Sequence, residues 1–92
     1  MFRHDMIKLF NEMMLNESYV KSMKDFNFKD EYEFFTFTKD NIELFIMSIG
    51  NEYFNICVTN TKKNEIIVED GDYLPIIILV KLDEYINEYL KK

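Results

Sequence analysis

The sequence has little of what catalytic and disulfide-stabilised proteins commonly use: one cysteine, one histidine, one proline, two glycines and no tryptophan in 92 residues. A single Cys57 excludes an intramolecular disulfide framework. The common nucleotide, zinc and hydrolase motifs are absent, and so little glycine leaves no loop suited to cradling a phosphate. The sequence therefore predicts a protein with no cofactor and no metal that is not an enzyme.

Long apolar segments are also missing. The run Leu74 to Val80 has seven residues, far fewer than the roughly 20 that span a bilayer. Near the start, the apolar residues are interleaved with charged ones, so no signal-peptide core is present. These features predict a cytoplasmic protein, and the abundance of Asn, Lys and Ile suggests a bacterial or phage source.

Basic charge is scarce as well. Against 17 acidic residues stand 11 basic ones, of which only Arg3 is an arginine, and the net charge is −6. Binding to nucleic acid or to an anionic membrane depends on cations, so the charge argues against both. An acidic protein is attracted instead to a basic surface, unless the charge serves only solubility.

What the chain does have is material for a core. It is 48% hydrophobic, with nine Phe and six Tyr, which is not the composition of a disordered chain. Its length fits one domain, and we expect residues 1–92 to form a single α+β domain.

The first segment has a helical period. Phe2, Met6, Leu9, Phe10 and Met13 recur at spacings of three and four, which predicts an amphipathic helix from about Arg3 to Leu15. The helical spacing of apolar residues is interrupted near Asn16 to Ser18. The residues that follow are compatible either with a short second turn or with a continuation of the helix.

From about residue 32 the period changes to two and predicts strands at 32–38, 42–49, 52–59 and 65–69. Gly50-Asn51 suits a two-residue hairpin turn, which would pair Met47 with Phe54 and Phe45 with Ile56. A turn at Asp40-Asn41 would join the first two strands. In this register both sheet faces are apolar and both need cover. The charges of the last strand suit a sheet edge.

Gly71 is expected to break the chain, and Asp72 to cap a helix from about Tyr73 to Leu90. Its buried stripe would comprise Leu74, Ile78, Leu79, Leu82, Tyr85, Ile86, Tyr89 and Leu90. Ile76, Ile77 and Val80 fall in the polar sector, so the first half of the helix has no polar face to expose to solvent. A buried strand at 76–80 is the alternative, because β-branched residues favour strands.

Candidate chemical sites are few. His4 lies on the polar face of the first helix, and Cys57 lies among apolar strand residues, where a thiol stays protonated. Glu69-Asp70-Gly71-Asp72 is the densest acidic cluster, but it lacks the distal ligand of a calcium loop. A turn followed by a helix cap explains these residues without a metal.

The sequence thus predicts the order α-β-β-β-β-α, with an antiparallel four-stranded meander packed by the two terminal helices. It predicts a small acidic protein that binds a basic surface of another protein, as an inhibitor, an immunity protein or a phage anti-defence factor does. A surface that binds nucleic acid is one such basic surface. The alternative is a structural homodimer or assembly subunit. The residues predicted to bind the partner are Tyr73, Ile76, Ile77, Val80, Glu69, Asp70 and Asp72.

Overall fold

The computed structural model describes residues 2–91, without the side chain of residue 2. Its elements in chain order are α1 (Phe2–Met14), α2 (Glu17–Asp25), β1 (Asn27–Asp30), β2 (Phe34–Lys39), β3 (Ile42–Gly50), β4 (Tyr53–Asn60), β5 (Glu65–Tyr73) and α3 (Pro75–Tyr85), which a π-helical turn (Ile86–Leu90) extends. The strands form one antiparallel sheet in the order β1-β2-β3-β4-β5. The α+β class and the antiparallel meander are therefore confirmed, whereas the sheet has five strands and not four.

Two elements account for the difference from the predicted order. Strand β1 is only four residues long, and only Phe28 of it packs against the core, so a period of two is barely visible in it. Helix α2 is separate from α1, because the Asn16 side chain accepts a hydrogen bond from the Ser18 N–H and caps a new helix.

Helix α1 follows its predicted periodicity. Met6, Leu9 and Met13 are fully buried and Phe10 packs against the core. Phe2, which the same pattern places on the apolar face, has its side chain outside the described residues. Arg3 fixes the start of the helix, because its guanidinium donates to the Asp30 carboxylate at the end of β1 (Nη2 to Oδ2, 2.8 Å).

The hairpin between β2 and β3 has the predicted turn at Asp40-Asn41, with Phe35 opposite Ile46. The predicted register between β3 and β4 is wrong. Ser48 lies opposite Phe54 and Ile46 opposite Ile56, because the turn residues are Asn51 and Glu52, both at positive φ, and the pairing shifts at Ile49.

This register places the large apolar side chains of three strands on the same sheet face, here called the inner face. They are Phe35, Phe37, Leu44, Ile46, Phe54, Ile56 and Val58, and all are buried. Helices α1, α2 and α3 all pack on the inner face and share one core with it. The expectation of two apolar faces is therefore wrong, and the opposite, outer face has a mixed composition.

Strand β5 extends past its predicted end to Tyr73 and, as predicted, lies at a sheet edge. Gly71 does not break the chain. Asp72 does not cap the helix either, because it is a bulged strand residue at positive φ whose N–H donates to Asn55 Oδ1 (2.9 Å). Leu74 occupies the N-cap position, and Pro75 begins α3.

Helix α3 excludes the alternative of a strand at 76–80. Ile78, Leu82, Ile86 and Leu90 of its predicted stripe are buried against the sheet, and Leu79, Tyr85 and Tyr89 pack at the margin of the core. Within residues 2–91, no helix has both the length and the apolar character required to cross a membrane.

The contact between Asn55 and the β5 bulge generates a stability prediction. A Cβ at residue 71 would overlap the Asn55 side-chain amide, so Gly71→Ala must displace that amide and remove the acceptor of the Asp72 N–H. We expect a loss of about 1–2 kcal/mol in the free energy of unfolding, measured by urea denaturation. In an Asn55→Ala background the same substitution should cost much less, and an equal cost in both backgrounds would contradict this account.

Candidate protein-binding surface

The most exposed apolar side chains of the helical layer include a group at the start of α3. Leu74, Ile76, Ile77 and Val80 are 47%, 71%, 43% and 53% exposed. Together they form what is here called the α3 ridge. Three of them, Ile76, Ile77 and Val80, are the apolar residues that the sequence pattern places in the polar sector of the helix.

The ridge follows from helix geometry. Ile78 and Leu82 point into the core, and at about 100° per residue Ile76 and Val80 lie on the opposite side of the helix. Internal packing therefore cannot bury both groups. The sequence pattern places Leu74 in the buried stripe, but as the N-cap residue Leu74 precedes the first helical turn and remains half exposed.

Two hollows adjoin the ridge at successive positions along α3. One, of about 610 Å³, lies between α1 and the start of α3 and is lined by Glu12, Glu52, Leu74, Pro75, Ile76 and Leu79. The other, of about 360 Å³, is lined by Asn16, Ser18, Tyr19, Val80, Asp83 and Glu84. The two open hollows leave room beside the ridge for side chains of a partner.

The hollows have an acidic rim, defined here as Glu12, Glu52, Asp83 and Glu84. Glu52 accepts from Lys8 Nζ at 3.0 Å, and Glu84 lies 3.7 Å from Lys81 Nζ. Within residues 2–91, neither Glu12 nor Asp83 has a lysine or arginine at ion-pair distance. The rim therefore keeps two carboxylates for another cation.

The predicted acidic cluster is dispersed in the structure. Glu69 lies on the outer face opposite Cys57. Asp72 lines a hollow at the β3–β4 turn. Asp70 faces the helical layer, because a strand alternates its side chains between the two faces. Adjacency in the sequence thus does not make these three residues one site.

Asp70 has a structural role that the sequence did not indicate. One oxygen of its carboxylate accepts from the Tyr73 hydroxyl (2.8 Å) and the other from the Tyr85 hydroxyl (2.9 Å), which ties β5 to α3. Burial alone would raise the pKa of Asp70, but these two hydrogen bonds and the Lys81 charge outweigh it and lower the pKa below its ordinary value.

The same contacts act on the tyrosines. Burial, followed by the hydrogen bond to Asp70, raises the pKa of Tyr85 to about 12. For Tyr73 the hydrogen bond to Asp70 is the main cause of a raised pKa. Lys81 Nζ lies 5.6 Å from the centre of the Tyr73 ring. Tyr73 is half-buried. Through its contacts with Asp70 and Lys81 it contributes to the position of α3 on the sheet.

The remaining candidates offer no assembled chemistry. His4 is exposed on α1. Burial, together with the charges of Glu69 and Glu43, raises the pKa of Cys57, so its thiol stays protonated and weakly nucleophilic. In the described part of the chain, no three His, Cys, Asp or Glu side chains are grouped closely enough to hold a metal ion.

Comparison of the chain with models of protein families, with curated proteins and with solved structures gives no match.

The site that emerges combines predicted and unpredicted residues. Ile76, Ile77 and Val80 lie together as expected, whereas the acidic residues beside them are Glu12, Glu52, Asp83 and Glu84 and not Glu69, Asp70 and Asp72. Glu12 and Glu52 come from α1 and the β3–β4 turn. Only the tertiary arrangement brings them to α3, and no sequence signal identifies them.

The Asp70 cluster generates a prediction of stability and pH dependence. Tyr85→Phe removes one hydrogen-bond donor to a carboxylate, so we expect the free energy of unfolding to fall by about 1–2 kcal/mol. The pKa of Asp70 should rise, which a side-chain NMR titration would measure. Tyr32→Phe changes a tyrosine that is 72% exposed and should alter neither quantity.

The free energy of unfolding should fall at alkaline pH, because the pKa of Tyr85 is raised in the folded protein. Its stabilising contribution is complete below the ordinary tyrosine pKa of about 10 and is lost as the pH rises through about 12. Tyr85→Phe should therefore make unfolding less dependent on pH in that window. Tyr19, whose pKa burial also raises to about 12, should preserve part of the dependence. An unchanged pH profile would contradict the proposed coupling.

Proposed function

We propose that the protein is a non-catalytic, cytoplasmic binding module that uses the α3 ridge to hold another protein. The observation that carries the proposal is the exposure of Ile76, Ile77 and Val80 on a helix whose other side is fully buried. Covering one such side chain stabilises a complex by up to about 1.5–3 kcal/mol. Exposed apolar patches with a polar rim are typical of protein-interaction sites.

The rim indicates the chemistry of the partner. Glu12 lines the hollow at the start of α3, and Asp83 lines the hollow further along the helix. A partner with an apolar groove edged by lysine or arginine would match both the ridge and these carboxylates. A net charge of −6 would add long-range attraction to such a surface and increase the rate of association.

The role we propose for this binding is inhibition. Basic protein surfaces commonly bind phosphates of nucleic acids, and carboxylates placed over such a surface would occupy the positions of those phosphates. An acidic module of this size, of bacterial or phage origin, would then compete with nucleic acid for its partner. Neither catalysis nor a cofactor is required for this action.

A structural homodimer is the second candidate function. The observation that favours it is the outer sheet face, where Phe34, Phe45 and Met47 lie apart from the core that the helices share. This role would not involve the α3 ridge.

The binding test uses a defined probe, a synthetic amphipathic helix with leucines on one face and lysines flanking them. Titration into isotope-labelled protein should shift the NMR signals of residues 74–84 and of Glu12. Ile76→Glu should abolish these shifts without altering thermal stability, because Ile76 is 71% exposed. Addition of salt should weaken binding strongly, because the rim carboxylates are screened.

Tyr32→Glu is the matched control, since Tyr32 is 72% exposed and belongs to the β1–β2 connection. It introduces the same charge and should leave binding unchanged. Shifts confined to the outer sheet face, or equal loss of binding in both variants, would contradict the proposal. Capture of the partner from the host, compared between these two variants, would then identify the partner.

A further inference from the structure

Two rows of residues cross all five strands on the outer face of the sheet, and one of them has a charged residue at each end. The register places Lys29 beside Thr36, Thr36 beside Phe45, Phe45 beside Cys57 and Cys57 beside Glu69. A lysine thus stands at one end of the row and a glutamate at the other, with a phenylalanine on the middle strand. Both charged residues are exposed.

The centre of this face is apolar. The rings of Phe34 and Phe45 lie 4.7 Å apart between centroids, and Met47 neighbours Phe34 on the adjoining strand. These side chains are half-buried, although the described helices all pack on the inner face. The apolar centre is therefore open to another molecule.

The row has the symmetry that a two-fold contact requires. When two sheets pack face to face about an axis parallel to the strands, the strand order of one copy is reversed over the other, with the sheets about 10 Å apart. Because the sheet has an odd number of strands, β3 lies over β3 and Phe45 meets its own equivalent. Lys29 of each copy then lies over Glu69 of the other copy.

We propose that a second copy of this chain packs on the outer face in this orientation, forming a symmetric dimer through the row from Lys29 to Glu69. The opposite two-fold orientation, with its axis across the strands, would place Lys29 over Lys29 and is disfavoured by charge. The proposal is independent of the α3 ridge, which lies on the other side of the molecule.

The size of the face determines the strength of the contact. Five strands about 4.8 Å apart span roughly 19 Å, and the longest strands, of nine residues, are roughly 30 Å long. The face therefore measures at most roughly 600 Å², less than the roughly 800 Å² per partner of a standard interface. The dimer is therefore weak and depends on protein concentration. One feature opposes it: Glu43 of β3 approaches its equivalent near the axis.

Charge exchange tests the proposal, with sedimentation velocity over a range of protein concentrations as the measurement. Lys29→Glu and Glu69→Lys should each weaken the dimer roughly tenfold, because each turns two attractive pairs into repulsive ones. The double variant should restore it. Glu43→Gln should tighten it.

Lys24→Glu is the matched control, since Lys24 is an exposed lysine of α2 in the helical layer. It should not change the dimer, and Ile76→Glu should not change it either. A wild-type protein that remains monomeric at high concentration, a double variant that is not restored, a Glu43→Gln variant that dimerises less, or equal weakening by Lys24→Glu would overturn the proposal.

Discussion

The register of the β3–β4 hairpin is the constraint on which the rest of the structure depends. Because side chains alternate between faces, a shift of one residue would transfer Phe54, Ile56 and Val58 to the outer face. The turn at Asn51 and Glu52, with the irregularity at Ile49, instead aligns them with the apolar residues of β2 and β3. A single sheet face then carries the core, and every helix must pack there.

A buried polar contact couples this hairpin to the first helix. The Gly50 N–H donates to Ser48 Oγ (3.2 Å), and the Ser48 hydroxyl donates to the buried Asp5 carboxylate of α1 (3.1 Å). The contact places α1 over β3, where Met6 and Leu9 complete the core. Helix α3 is left with the area over β4 and β5, so a groove remains between the two helices and α3 keeps one side uncovered.

The sequence predicts correctly those elements in which apolar residues recur with one clear spacing. Spacing alone identifies α1, the buried stripe of α3 and the unusual position of Ile76. The predicted register of the β3–β4 hairpin fails because Leu44 to Met47 are all apolar, so that either register buries apolar side chains. Nothing in the local sequence indicates that Glu52 adopts a positive φ. The rim of the α3 ridge escaped prediction for a different reason: Glu12 and Glu52 lie far from α3 in the sequence.

The charge distribution decides how the two uncovered surfaces could be used by one chain. A second copy placed on the α3 ridge would bring two acidic rims together, which is unfavourable for a protein whose net charge is −6. In the proposed dimer on the outer face, Lys29 would supply the compensating charge for Glu69, and of the residues that the structure describes only Glu43 would meet a like charge near the axis. The two proposals are therefore compatible in charge: a second copy would bind the outer face, and a basic partner would bind the ridge. Because the two surfaces lie on opposite sides of the molecule, a second copy on the outer face and a basic partner on the ridge could be bound at the same time. A dimer would then present two ridges, and a repetitive or symmetric partner that engaged both would be bound with a gain in avidity.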